Sequence, residues 1–222
     1  MSAYFITATG TGIGKTFVTT GLIRHLRNAG KDVRALKPIV SGFDVATSAL
    51  SDPGLLLEAL GEPVTPEALL RISPWQFAAP LSPDMAAARE GRCIEFDAVV
   101  KLFRDSATGD MMLVEGVGGV MVPLDGRHTV LDWMVALGLP LIVVTGSYLG
   151  TISHTLTALE VIARARLTVA ALVVNDSGDD AVPLDETAAT LRRFVSAPIV
   201  ILPRVKTPVS AKDAFVKLAA LL

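Results

Sequence analysis

Continuous apolar runs alternate along this chain with stretches in which apolar residues recur every three or four positions. Residues 111–114, 139–145 and 169–174 are runs of the first kind, the mark of strands buried on both faces of a parallel sheet. Residues 4–7, 33–37 (stopped by Pro38) and 199–202 read as shorter strands. Val18, Leu22, Leu26 and Ala29 fall at helical spacing and predict a helix over 14–29, closed by Gly30. Ile94, Val99, Leu102, Phe103 and Ala107 predict another. Ile152, Leu156, Leu159 and Ile162 share one face of a third, and Leu184, Ala188, Leu191 and Val195 mark a fourth. Residues 55–60 form a short helix and 211–222 a closing one, while 44–51 is a small, polar loop. The proline-rich stretch 61–83 reads as an irregular excursion over the sheet.

Strands alternating with helices imply a doubly wound, mainly parallel α/β sheet with helices on both faces. The expectation is a single P-loop NTPase-like domain over 1–222, with its ligands beyond the carboxyl ends of the strands. The glycine-rich stretch 8–16, Ala-Thr-Gly-Thr-Gly-Ile-Gly-Lys-Thr, follows the first strand and opens the first helix. That is the context of a phosphate-binding loop, whose N–H groups cradle phosphate oxygens. Lys15 reaches the β- and γ-phosphates in such a loop, and Thr16 sits on Mg²⁺. Thr9 occupies the position where the usual pattern has its first glycine.

Composition narrows the class. Hydrophobic residues make up 51% and charged ones 19%, which excludes disorder, and the net charge of −2 gives no reason to expect nucleic acid or a membrane as partner. Cys93 stands alone, so no internal disulfide and no thiolate-rich metal site can form. Residues 1–3 run straight into the first strand, leaving no room for a signal peptide, and no apolar run approaches the ~18 residues of a membrane span. A cytoplasmic enzyme is expected.

Each strand end carries polar residues. The second leads into Lys37-Pro38-Ile39-Val40-Ser41-Gly42, and the 111–114 strand into Glu115-Gly116-Val117-Gly118-Gly119. Residues 146–151 follow the next strand, and Asn175-Asp176 the one after. All should converge on one edge with the loop. Glu115 stands where a second Mg²⁺ ligand belongs. Lys37 reads either as a site cation or as a surface lysine capping its strand. Residues 150–153 form a helix start able to bind an anion or to stand free. His25, His128 and His154 lack ligand spacing.

Taken in order, these segments resemble the dethiobiotin synthetases. The likeness runs through 9–16 and 37–42, Ser51-Asp52, 77–83 and Glu90-Gly91-Arg92, then 114–119, Asp132-Trp133, 149–154 and 174–176. The resemblance implies an ATP-dependent, Mg²⁺-dependent cyclo-ligase acting on 7,8-diaminononanoate and CO2. A carbamate forms on one amine and attacks the γ-phosphate, giving a carbamic–phosphoric anhydride that the second amine closes to the cyclic urea. The implied catalytic residues are Lys37, Lys15 and Thr11. Gly12, Ile13, Gly14, Lys15, Thr16, Phe17, Asp52, Glu115, Gly116, Val117 and Gly118 correspond to ATP-contacting positions. Asn175 and Asp176 correspond to positions at the base, where Pro203, Arg204 and Val205 close over it. Thr11, Lys37, Ser41, Gly118, Leu149, Gly150 and Ser153 match substrate positions, the last three across a homodimer interface. Thr16, Asp52 and Glu115 match the metal positions, with Asp44 a competitor for Asp52. The family has Gly where Ala8 stands, often an acidic residue near Gly12, and Asn at Ser153.

Other classes leave signatures that this chain lacks. Partitioning ATPases carry a lysine five residues before the loop lysine, where this chain has Gly10, and GTP switches carry Asn-Lys-x-Asp.

Overall fold

The computed structural model describes residues 2–178, 182–204 and 211–222. Among them, six strands form one sheet in the order β2-β5-β1-β6-β7-β8, every pair parallel. Strand β1 (Ser2–Ala8) lies between β5 (Met111–Glu115) and β6 (Leu141–Gly146). Beyond β5 lies β2 (Val33–Leu36), and beyond β6 lie β7 (Val169–Asn175) and β8 (Ile199–Leu202). The chain leaves β1 towards the β2 side and later crosses to β6. The strand order therefore switches at β1, which puts the loop after it in the crevice where such sheets bind ligands. Strands β5 and β6 are buried at every position, as the unbroken apolar runs predict. Register sets Ile6 opposite Glu115 and Gly146 opposite Asn175, so the polar strand ends share one edge.

Helix α1 (Lys15–Asn28) buries Val18, Leu22, Ile23 and Leu26 against the sheet. Helix α2 (Asp52–Leu60) begins three residues before the apolar run 55–60. Ser51 caps it by accepting the Gly54 N–H, and Pro53 in its first turn has no N–H to lose. The stretch 44–51 is not an open loop. It winds into a 3₁₀ turn over Val45–Leu50, capped by the Asp44 carboxylate. The proline-rich excursion is also more ordered than expected, because Pro66 and Pro83 sit at the first helical position, where helices accept a proline. It contains α3 (Pro66–Ile72), with Thr65 as cap, and α4 (Pro83–Arg89). A small parallel pair, β3 (Ile39–Ser41) with β4 (Trp75–Phe77), packs against α4.

Helix α5 (Phe96–Ser106) precedes β5. Helix α6 (Val130–Leu137), absent from the sequence reading, starts at a capping box in which Thr129 and Asp132 satisfy each other's backbone N–H. Trp133 drops from it into the core, edge-on to Phe5 at 4.8 Å between ring centres. The Asp132-Trp133 pair is thus explained by capping and packing. Helix α7 (Thr151–Arg164) crosses from β6 to β7, α8 (Leu184–Leu191) precedes β8, and α9 (Lys212–Ala219) packs on α1. Helix α8 stops before Val195, the last residue of its apolar pattern. No helix among the described residues is long and apolar enough to cross a membrane.

Candidate active site

The turn between β1 and α1 is built on glycines that adopt left-handed backbone. Gly12 has φ of 73° and Gly14, which caps α1, φ of 98°. A Cβ at Gly14 would overlap the side-chain amide of Asn175, so sterics as well as dihedral demand glycine there. No side chain caps α1, which leaves its first N–H groups for a ligand. Asn175 Nδ2 donates to Ile13 O at 2.9 Å and fastens the turn to the end of β7.

Lys15 arches back over the turn and is 8% exposed. Its Nζ donates to Gly118 O at 2.6 Å and to Gly10 O at 3.1 Å. Burial, then the nearby charge of Lys37, lowers its pKa to about 8 despite the carboxylates of Glu115 and Asp52. Carbonyl oxygens alone hold this ammonium, and a triphosphate would supply the charge it lacks.

A second cation and two carboxylates meet beside it. Lys37, just beyond β2, is buried. Its Nζ donates to Glu115 Oε1 at 2.9 Å and Gly116 O at 2.6 Å, and lies 3.3 Å from Asp52 Oδ2. Burial works against the charged lysine, but Glu115 and Asp52 outweigh it and raise the pKa. The surface-lysine alternative is thereby excluded. Burial likewise opposes ionisation of Asp52, and Lys37 together with the Thr16 hydroxyl outweighs it, lowering that pKa. Thr16 Oγ1 lies 2.8 Å from both Asp52 Oδ1 and Glu115 Oε1. One hydroxyl hydrogen cannot serve both acceptors at once, and Glu115 Oε2 is buried without a partner. A hydroxyl, two carboxylates and an orphaned oxygen form a hard, acceptor-rich set that fits Mg²⁺. Asp44 is spent on capping the 3₁₀ turn, so it is Asp52, not Asp44, that joins Glu115 at this cluster.

Thr11, Gly12, Gly14, Lys15, Thr16, Lys37, Ser41, Asp52, Val117 and Gly118 wall a cavity of about 300 Å³. Ser41 is brought there by the β3–β4 pair. Arg92 lies over the Phe77 ring at 4.6 Å and Glu90 accepts the Ala78 N–H at 2.8 Å, so the 77–83 and 90–92 motifs brace that pair. Thr11 and Gly12 also line a larger cleft of about 850 Å³ on the other side of the turn, walled by Val120, Met121, Val122, Tyr148, His154 and Ala158 among others.

Other expected residues stand apart. Phe17 faces outward from α1, 42% exposed, into a groove shared with Phe215. Leu149, 87% exposed, lines neither cavity, and nor do Gly150 and Ser153. Asp176 accepts the N–H groups of Gly178 and Arg204, which sets Arg204 and exposed Pro203 beside the end of β7. Val205 lies outside the described residues. The sequence reading missed the Thr145 hydroxyl cluster and the paired bonds between Ser147 and Ser177, each accepting the other's N–H. Only the i, i+4 pair Thr151 and Thr155, on the buried face of α7, hinted at the former.

A parallel sheet with a glycine turn feeding a helix N-terminus, a buried loop lysine and hard ligands alongside defines a P-loop nucleotide-dependent phosphoryl-transfer protein. Solved structures of that class share the fold. The MinC:MinD cell division complex of Aquifex aeolicus superposes with a TM-score of 0.59 at 14% identity, over 99% of this chain and 94% of the other. Pyrococcus furiosus MinD superposes at 0.55 and 20% identity, over 100% and 98%. The family model described as an AAA domain matches residues 2–208. Curated relatives are closer in sequence. The ATP-dependent dethiobiotin synthetase of Acidiphilium cryptum is 51% identical over 89% of this chain and 90% of its own, and that of Phenylobacterium zucineum 49% over 92% and 89%. The chain belongs to the ATP-dependent dethiobiotin synthetase family.

Proposed function

We propose that residues 1–222 act as one cytoplasmic catalytic unit that carboxylates 7,8-diaminononanoate with CO2 and closes it to dethiobiotin, spending ATP to ADP and phosphate. The observation that carries the reading beyond family membership is the second buried lysine. Lys15 suffices for holding a triphosphate. Lys37 adds a cation that lines the same cavity as Ser41 and Thr11, where an anionic acceptor formed from the diamine would be held beside the γ-phosphate.

In this reading the turn amides and Lys15 bind the β- and γ-phosphates. Lys37 leaves Glu115 in part to neutralise the carbamate and the transferring phosphoryl group, and catalysis there is mainly positioning and charge stabilisation. The carbamate oxygen attacks the γ-phosphate and ADP departs. The free amine then attacks the anhydride carbon, expelling phosphate and losing a proton as the ring closes. Ser41 and Thr11 offer hydroxyls to the amine end. Thr16, Asp52 and Glu115 would hold Mg²⁺, which supplies charge to the phosphates when bound.

Gly116, Val117 and Gly118 form the wall behind the phosphates. The aliphatic chain of the substrate runs from Thr11 into the larger cleft. Asn175, whose Nδ2 is engaged by Ile13, keeps its Oδ1 for the adenine amino group, with Asp176, Pro203 and Arg204 beside the base. Leu149, Gly150 and Ser153 serve the substrate carboxylate of a second copy in a homodimer. Their exposure and absence from both cavities of their own chain support that reading.

The test is phosphate release from MgATP with the diamine and bicarbonate omitted in turn. Release that requires both, with dethiobiotin identified by mass spectrometry, is expected. Release indifferent to the diamine would overturn the proposal.

A further inference from the structure

Thr145, next to last in β6, meets three other hydroxyls. Its Oγ1 lies 3.1 Å from Thr9 Oγ1, 3.0 Å from Thr151 Oγ1 and 2.7 Å from Thr155 Oγ1. Thr145 and Thr155 are fully buried and Thr151 nearly so. Either oxygen of each Thr145 contact can be the donor, and each hydroxyl has one hydrogen to give. One arrangement serves both carbonyl contacts of the helix threonines. Thr151 gives its hydrogen to Gly146 O at 2.8 Å, and Thr155 to Thr151 O at 2.7 Å. In that arrangement both helix threonines accept from Thr145, and its single hydrogen is given to the nearer, Thr155. Thr9 then donates to Thr145. The result is a one-way chain, Thr9 to Thr145 to Thr155 to the Thr151 carbonyl.

The ends of this chain matter. Thr9 opens the phosphate loop and stands where the usual pattern has a glycine; its N–H is held by Val144 O at 3.0 Å. Thr151 is the first residue of α7. One buried oxygen thus joins the entry of the loop to the start of a helix.

We propose that Thr145 is a positioning residue for the reaction, holding the phosphate loop and the start of α7 in fixed register. The inference rests on the function proposed above, in which the loop takes the triphosphate of its own chain and the α7 start the substrate carboxylate of a second copy. Thr145→Val keeps the shape and removes the hydroxyl, leaving the Thr9 donor without its acceptor. Misplacement of about an ångström at a reacting centre costs up to ~10²-fold in rate. The expected result for Thr145→Val is a kcat about tenfold or more below the parent, with affinity for a non-hydrolysable MgATP analogue little changed. Thr145→Ser, which restores the hydroxyl, recovers turnover. A purely structural role would lower the melting temperature and leave kcat per nucleotide-binding site unchanged; that result, or failure of Thr145→Ser to recover, overturns the proposal. Should Thr145→Val not fold, Thr9→Ala cuts the same chain from its loop end and is read identically.

Amide hydrogen exchange separates this proposal from the reaction itself. In the parent chain the MgATP analogue should slow exchange in the first turn of α7, and in Thr145→Val it should not. Equal responses, or no response in the parent, overturn the tie. A parent that makes no dethiobiotin but shows this difference would sink the reaction reading and leave the tie standing.

Discussion

Lys37 Nζ lies 2.9 Å from Glu115 Oε1, with the lysine side chain 3% exposed and the carboxylate 0%. The bond joins the residue just after β2 to the last residue of the neighbouring strand β5. Removing one partner of a buried pair strands the other charge, at a cost of about 3–5 kcal/mol. Lys37→Met should therefore lower the melting temperature sharply, and adding Glu115→Gln should restore most of the loss. Thermal melts of the two single variants and the double variant check this. Additive losses would mean that the pair is not coupled.

Turnover should respond differently from stability. Lys37→Gln retains a side chain able to donate to Gly116 O but carries no charge. Nucleotide affinity should stay near the parent value because Lys15 and the turn are untouched, while kcat should fall at least a hundredfold, about the effect of deleting one preorganised charge-stabilising group. Calorimetry with a MgATP analogue and steady-state assays of phosphate release measure the two quantities. Unchanged turnover would remove Lys37 from the mechanism.

The donor set of Thr16, Asp52 and Glu115 predicts the metal dependence. Glu115→Ala should raise the Mg²⁺ concentration needed for half-maximal phosphate release, and Asp52→Asn should do so as well. Both titrations are run at fixed, saturating ATP. An unaltered Mg²⁺ curve for Glu115→Ala would reject its role as a ligand.

These residues also show what sequence can and cannot reveal. Runs such as 111–114 are legible as strands because burial on both faces leaves no polar position, and Glu115 is conspicuous for ending one. Lys37 is ambiguous in sequence because a strand end is as often wet as buried; its partners Asp52, Glu115 and Gly116 are distant from it in the chain. Helix α6 escapes notice because its cap Thr129 and its third residue Asp132 open a helix of only eight residues with no long apolar period. The first turn of α2 was hidden by Pro53, which breaks a helix interior but suits a helix start. Thr145 is illegible for a different reason. Its partners lie 136 residues before it and 6 and 10 after it, and no local pattern marks a hydroxyl shared between a turn and a helix.

Gly14 offers a test of the turn itself. At φ of 98° and against Asn175, Gly14→Ala introduces both backbone strain, of order 1–3 kcal/mol, and a steric overlap. Nucleotide affinity should fall by tenfold or more, with the fold retained as judged by circular dichroism. Parent-like affinity would mean that the turn can open without loss of its phosphate site.

The lowered pKa of Lys15 sets a pH limit on nucleotide binding. In the free chain burial and Lys37 bring it to about 8, whereas bound phosphates favour the ammonium and must raise it. Below the free value both states carry the proton, so affinity for a MgATP analogue should be flat. Above it the free chain loses a proton that the complex retains, and binding must take one up. Affinity should then fall by up to about tenfold per pH unit until the pKa of the complex is passed. Lys15→Arg, which keeps its charge throughout this range, should bind more weakly at pH 7 because its planar head does not match the cradle of carbonyls, but it should lose the alkaline limb. Measuring affinity without diamine or bicarbonate keeps their own titrations out of the curve. A limb that persists unchanged in Lys15→Arg would assign the proton to another group.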